Sequence, residues 1–406
     1  MATGATTGYA AGEQTNTSPV DYAQEVTYNT PPGGTYQRLR MTGESLAAND
    51  STSTPDEIND LPEVAETVLT GRATGGSLNG VLSYGTYDDF LAGILGADWI
   101  SETFTSVDGG SVRPNYNDVA HNKGIVIING DNKGFFNSIP GKGFITIRDD
   151  TKGLNYTTFY SYNDGNSLIV GDDFFLKYDW NDGLLTDGAT LSFNGIINAA
   201  LGKTYSIRKK MSGNWQVFSG CMVNQVQIQL QKGQVPTVQI DFVGSDMTVT
   251  TVDVSSAVNA ATTSPLMDVV GGFLGCSVFG QSPAGCIQSA TITLARDGSG
   301  QDTGMGHVGA CGIQFGALKA SMDIEYFFKD YTEFLAWQAG QKGQVSVSIK
   351  GSDGYGYQFT VLNGRIFNPK NPISGKNATI VTTISVTGNP LPGGGTFAIT
   401  RITPSS

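Results

Sequence analysis

Two stretches of this chain repeat one another without a gap. Residues 76–92 (Gly-Ser-Leu-Asn-Gly-Val-Leu-Ser-Tyr-Gly-Thr-Tyr-Asp-Asp-Phe-Leu-Ala) align with residues 320–336 (Ala-Ser-Met-Asp-Ile-Glu-Tyr-Phe-Phe-Lys-Asp-Tyr-Thr-Glu-Phe-Leu-Ala). Ser77, Tyr87, Phe90, Leu91 and Ala92 recur as Ser321, Tyr331, Phe334, Leu335 and Ala336. Each copy reads as a strand running into a short helix. In the first, Tyr87, Phe90, Leu91, Ile94 and Leu95 stand at i, i+3, i+4, i+7 and i+8, which makes one apolar face. Thr86 is its expected cap, with Asp89 three residues on, and Gly96 its stop. In the second, Asp330 caps, Glu333 takes the third position, Tyr331, Phe334 and Leu335 are expected to face inward, and Gly340 stops the helix. Because caps and stops repeat as well as apolar positions, the chain is constrained to two similar modules, a design suited to assembly.

The remaining pattern is that of strands. Gln225 to Gln231 alternates strictly, with Val226, Ile228 and Leu230 on one face and Gln225, Gln227, Gln229 and Gln231 on the other. After Lys232-Gly233-Gln234, residues 237–242 return with the same alternation, which predicts a hairpin with a short loop. In the second half Val345, Val347 and Ile349, then Phe359 and Val361, then Ile380, Thr382, Ile384 and Val386 alternate likewise. Phe242-Val243-Gly244 and Val386-Thr387-Gly388 are expected to close the two copies in the same way. Charged residues make up 15% of the 406, against about 25% in ordinary globular proteins, while 54 glycines suit many strands joined by tight turns.

The expected fold is therefore mainly β. Two tandem β-sandwich or barrel domains, each with a flanking short helix, carry an inserted small β domain. Residues 1–35 read as an N-terminal arm. Residues 36–100 and 200–250 form the first domain, 251–265 a linker, and 266–406 the second domain. The insert, 101–199, has strand signals at 124–128, 144–147 and 167–170. Asn129-Gly130, Asp164-Gly165, Asp182-Gly183 and Asp187-Gly188 punctuate it as turns. A long polar stretch at 47–62 reads as a loop, and loops of that length are commonly functional or disordered.

Chemistry is hard to find. A net charge of −12 argues against tight binding to nucleic acid, which needs basic groups on phosphate. No run of about 18 apolar residues predicts a membrane span. The small, polar N-terminus lacks the basic and apolar regions of an export signal, so a reducing compartment is expected. Cys221, Cys276, Cys286 and Cys311 match no zinc spacing and read as buried apolar residues, with a Cys276–Cys286 bridge the less favoured alternative. His121 and His307 lack a nucleophile context. The Gly-rich run Asp297 to Asp302 reads as a turn, since it lacks the terminal Glu of a calcium loop. The pairs Asp149-Asp150 and Asp172-Asp173 show no hydrolase spacing. No catalytic, cofactor-binding or metal residues are assigned, and no cofactor is expected.

Several motifs resemble one family, the tail tube (major tail) proteins of long-tailed, siphovirus-like bacteriophages. They are Leu39-Arg40-Met41-Thr42-Gly43-Glu44-Ser45-Leu46, Leu82 to Leu91, Tyr205-Ser206-Ile207-Arg208-Lys209-Lys210, residues 218–224, and Pro372-Ile373-Ser374-Gly375-Lys376. The resemblance covers roughly 36–100 and 203–402 and skips the insert. It implies a β-sandwich-like barrel flanked by one helix. It also implies self-assembly into stacked rings that form the tail tube, the conduit for viral DNA during ejection, after synthesis in the host bacterial cytoplasm. Its implied partners are the chain itself, tape measure protein and then DNA in the lumen, and tail terminator and distal tail proteins at the ends, with no membrane. Two modules per chain favour trimeric rings with pseudo-sixfold symmetry, with hexamers as the alternative.

Within this frame Asn49, Asp50, Ser51, Thr52, Glu57 and Ile58 are candidates for contact between rings. The Gln225, Gln227, Gln229 and Gln231 face is a candidate for the lumen or an intersubunit sheet, or else an ordinary solvated face. An acidic lining would let DNA pass without sticking. The competing reading is a β-sandwich binding module whose insert recognises a host surface glycan or receptor through Tyr116, Tyr160, Tyr162, Tyr178 and Trp180. A polysaccharide-degrading enzyme is disfavoured for want of an acid–base pair.

Overall fold

The computed structural model describes residues 12–58, 60, 63–105, 111–114, 124–127, 136–163, 165–170, 185–373 and 375–404. His121, Tyr116, Tyr178, Trp180, Asp172 and Asp173 lie outside these residues, as do the first eleven residues of the expected arm. The side chain of Tyr162 is likewise not described. The fold is mainly β, with 54% of residues in strands and 5% helical.

Strand pairing runs in the same order in both halves. In the first half, one sheet runs Val20–Gln24, Tyr205–Met211, Asn214–Gln231 and Asp246–Thr250. A second runs Ala47–Ser53, Val68–Val81, Thr237–Gly244 and again Asn214–Gln231. The 18-residue strand Asn214–Gln231 serves both, its first part in one sheet and its last part in the other. In the second half, one sheet runs Phe273–Val278, Lys342–Lys350, Gly356–Lys370 and Phe397–Ile402. The other runs Ile287–Asp297, Ala317–Phe327, Val381–Gly388 and again Gly356–Lys370.

The halves are joined by a ladder. Gln225 to Gln231 pair with Ser289 to Ala295 on one side, and Gln225 to Gln229 pair with Thr237–Gly244 on the other. Strict alternation puts Val226, Ile228 and Leu230 beneath this junction, and they are buried with Ile292 and Leu294 in a core that runs through both halves. Register exposes a further repeat. Leu78 and Met322, equivalent in the 76–92/320–336 alignment, lie opposite Glu44 and Ile292. Ser45-Leu46-Ala47 therefore takes the place of Thr293-Leu294-Ala295, a likeness that sequence comparison alone had passed over.

Several expectations need correction. Part of the arm is a core strand: Val20, Asp21, Tyr22 and Ala23 are buried because Val20–Gln24 fills the space between Tyr205–Met211 and Thr35–Arg38. The polar stretch at 47–62 is in part a strand, Ala47–Ser53, since backbone pairing to Val68–Val81 overrides a polar composition. The linker holds a short strand, Ala257–Asn259, parallel to Thr35–Arg38. Ile240 lies opposite Leu78 and Val386 opposite Met322, so Gly388 corresponds to Phe242 rather than to Gly244, and the two closures are not equivalent. Cys286 and Cys311 are exposed, and all four cysteines are free.

The helices also differ from expectation. The first, Asp88–Leu95, starts from Tyr87 without a side-chain cap. The Thr86 hydroxyl instead meets Ser83 Oγ at 2.6 Å and Thr262 Oγ1 at 2.5 Å, tying the linker to the first half. Gly96 does end the helix, at φ 59°. The second helix, Thr332–Gln338, likewise starts from a tyrosine, Tyr331, without a side-chain cap, and Asp330, one residue before it, accepts from the Thr332 N–H at 3.0 Å. Two of its three expected inward residues do not face inward: Tyr331 and Leu335 are 61% and 62% exposed, Phe334 is half-buried, and Glu333 is buried.

The insert is stitched to the second half. Thr190–Ile197 pairs with Ile100–Thr105 and Gly143–Asp149, and at 195–197 with the terminal strand Phe397–Ile402. It has its own core, with Ile145, Ile147, Tyr160, Leu168 and Leu191.

Candidate functional site

Alternation in paired strands places one polar face across the joined sheet. Gln227 lies between Gln239 and Thr293 and continues through Asn79 on one side and Ser321 and Thr387 on the other. Gln229 lies between Thr237 and Thr291, then Asp323 and Ser385. Gln225 lies between Asp241 and Ala295, and Gln231 faces Ser289, then Glu325 and Thr383. The sequence-predicted glutamines are thus brought together in the middle of a broad polar surface. Its side chains bond along the surface: Gln229 Nε2 donates to Gln227 Oε1 at 3.1 Å, Gln239 Nε2 to Asp241 Oδ1 at 3.0 Å, and Ser289 Oγ to Glu325 Oε2 at 2.9 Å. Amides and hydroxyls dominate, and the same ladders carry the acids Asp241, Asp297, Asp323 and Glu325 beside the bases Lys319, Arg365 and Lys370.

The candidate contact residues separate into two environments. Asn49, Asp50, Ser51 and Thr52 lie in the strand Ala47–Ser53, while Glu57 and Ile58 lie in the connection beyond it. This hairpin arm is braced by Arg72 Nε to Asp50 Oδ1 at 2.6 Å, and it exposes Ile58, Val64 and Val68. The second half has a matching arm, Gly300–Asp302 paired with Gly312–Gln314, where sequence reading had placed only a Gly-rich turn. That arm lies on the first half. The Arg72 N–H donates to Val308 O at 2.8 Å, the Ala310 N–H to Ser245 O at 3.2 Å, and Gln301 Nε2 to Thr74 O at 3.2 Å.

Between the halves sits a charged joint that sequence reading missed. Asp88, at the start of the first helix, is ion-paired with Arg401 and accepts a hydrogen bond from the Tyr357 hydroxyl, both from the second half. Trp99 Nε1 donates to Asp88 O at 2.8 Å, and the Arg401 guanidinium stacks 4.0 Å from the Trp99 ring. Burial pushes the Asp88 carboxyl up, with Arg401 and Tyr357 pulling it back. Burial, with the Asp88 charge, pushes the Tyr357 hydroxyl far up. Asp-Asp before an apolar face signals a helix start, but nothing in the sequence tells which distant cation answers it.

Two strand edges stay open. Among the described residues, 43–53 pair only with Val68–Val81, and 366–370 pair only with Val381–Gly388. Also among the described residues, no group of three His, Cys, Asp or Glu is placed to hold a metal ion, and no helix is long and apolar enough to cross a membrane. An edge without a second strand can take one; at the first of these the Leu46 N–H donates to Glu44 Oε2 at 2.8 Å and the Leu46 carbonyl accepts from Lys209 Nζ at 3.1 Å.

Against known protein families, the model described as phage tail tube protein matches residues 15–388. No curated protein matches the chain.

Proposed function

The chain belongs to the phage tail tube protein family, and from that premise we propose that three copies close into a ring with pseudo-sixfold symmetry and that such rings stack into the tube. As a tail tube protein it is a structural component of the virion tail. The observation that carries the trimer is the identical strand order of the two halves: each chain supplies two ring positions, so three chains fill six. In this reading the modules are those expected from the sequence, with Val20–Gln24 added to the first and the insert on the outer wall.

The polar face lines the bore, which holds the tape measure protein first and DNA later. Tight phosphate contacts would hold DNA through counterion release. With acids and bases nearly balanced on this face, smooth passage rests mainly on uncharged amides and hydroxyls rather than on the acidic lining expected from net charge. Tail terminator and distal tail proteins close the ends of the tube in a long-tailed virion, assembled in the bacterial cytoplasm. Electron microscopy of tubes grown from the purified chain tests this. The expected cross-section has three chains and six similar lobes per ring. Six chains per ring would overturn the trimer, and a chain that stays monomeric at every concentration would overturn the tube.

A further inference from the structure

We infer that a notch at the root of the insert, where one sheet forks, is a binding site for a neutral saccharide. The notch is complete within one chain, so the inference stands apart from the ring. It moves recognition by the insert away from the tyrosines expected to carry it, since Tyr160 is fully buried and donates to Pro140 O at 2.8 Å.

The fork follows from register. The strand Thr190–Ile197 runs along Ile100–Thr105 on one side, from Thr190 to Gly195. On its other side it changes partner. Thr190 to Ser192 pair with Gly143–Asp149, and Gly195 to Ile197 pair with Phe397–Ile402. Phe193 and Asn194 have no ladder partner on that side among the described residues. The notch where the two neighbouring strands part encloses about 480 Å³, within the range of small-ligand sites. Two open residues are too few for an added peptide strand, which needs a run of free edge.

Alternation gives the notch its chemistry. Thr157, Thr146, Ser192 and Thr103 lie opposite one another across four strands and share one face. Their hydroxyls meet at 2.8 Å between Thr146 and Thr157 and at 3.2 Å between Thr103 and Ser192. Asn194 and Ser101 are the next pair along that face. Gln358, Thr400, Arg401 and Thr403 of the second half form the other lip. Both arginines of the lining are matched inside the chain, Arg148 by Asp150 at 2.8 Å and Arg401 by Asp88. The notch therefore offers an anion little net charge, while its hydroxyls and amides both give and accept hydrogen bonds.

Two atoms of the lining lack a partner. Asn194 Oδ1, an acceptor, and Arg401 Nε, a donor, are buried without a hydrogen bond among the described residues. A buried polar group left unmet costs stability, and a sugar hydroxyl, donor and acceptor at once, can answer either. Trp99, two residues before Ser101, is half-buried and lies 4.0 Å from the Arg401 guanidinium. It adds an aromatic surface beside the polar lining, an arrangement suited to the apolar face and hydroxyl rim of a sugar ring.

The test is titration calorimetry on the free wild-type chain. The probes are linear hexasaccharides of glucose, mannose, galactose and N-acetylglucosamine, with hexagalacturonate as the charged control. At least one neutral hexasaccharide is expected to saturate a single site per chain. Asn194→Ala is expected to weaken that binding about tenfold, as the loss of one hydrogen bond does. It should not lower the urea unfolding midpoint, because the amide oxygen that it removes has no partner; a merely structural Asn194 would lower it. Thr103→Val with Thr157→Val keeps side-chain shape and β-branching, and carries the same binding expectation should Asn194→Ala fail to fold. Saturation by none of the neutral hexasaccharides would overturn the inference. So would saturation by hexagalacturonate alone, or undiminished binding by the folded variants. The tube stands or falls separately, by microscopy.

Discussion

Arg208 shows how a residue in a shared motif is put to structural use. Its guanidinium is 1% exposed and lies between the Tyr36 and Trp215 rings, 4.0 and 3.9 Å from their centroids, with Asp253 at 2.6 Å and Asp21 at 3.6 Å. A planar, permanently charged group suits such a cage better than lysine does. Asp253 also accepts from Ser255, so the cage pins the linker to the first half. Desolvation pushes the Asp253 carboxyl up, but the Ser255 bonds and Arg208 outweigh it and hold the pKa at about 2, below the ordinary 3.8. A depressed acid stabilises the fold above its unfolded pKa and loses that contribution as pH falls through the folded value. Asp253 is 46% exposed, so solvent screening limits the effect to roughly 1 kcal/mol or less. Thermal unfolding of wild type and Asp253→Asn should therefore differ by a constant amount above about pH 5 and converge near pH 2; a gap that widens in acid would contradict the assignment.

At the scale of elements, the two helices make a controlled comparison. They share apolar positions, yet Leu91 is buried while its counterpart Leu335 is 62% exposed. Leu91→Ala should cost the free chain about 2–5 kcal/mol, and Leu335→Ala no more than about 0.5 kcal/mol, both read by urea unfolding. Equal losses would mean that the second helix is buried in the free chain. Helix existence was legible in the spacing, and so were the stops at Gly96 and Gly340. Which apolar face finds cover was not, because periodicity reports a face and not its neighbour. The hairpin arms were half legible for a similar reason. Polar strands such as Ala47–Ser53 carry no apolar alternation, and only pairing with Val68–Val81 makes them strands.

For the whole molecule, the insert tests how far the modules stand alone. Thr105 and Thr190 lie opposite one another at the neck of the insert, so an Asn-Gly turn in place of residues 106–189 closes a short hairpin. With Phe104, Leu191 and Phe193 changed to Thr to relieve their lost core, this variant keeps the strand Thr190–Ile197 that pairs with Phe397–Ile402. It should still form tubes, visibly thinner by electron microscopy. Tubes of unchanged diameter would move the insert off the outer wall, and loss of assembly would place it within the ring contacts.

The amino-acid order by itself determined the mainly β class, the positions of both helices and the alternation that sorts Gln225, Gln227, Gln229 and Gln231 onto one face. Those are local properties, written in residue spacing at periods of about two and 3.6. Tertiary structure alone decided that the glutamines sit at the seam of two modules, that Asp88 meets Arg401 across that seam, and that the first helix is covered while the second is bare. Those are facts about partners distant in the chain, and a strand's two edges look alike in sequence until the sheet assigns one of them a neighbour.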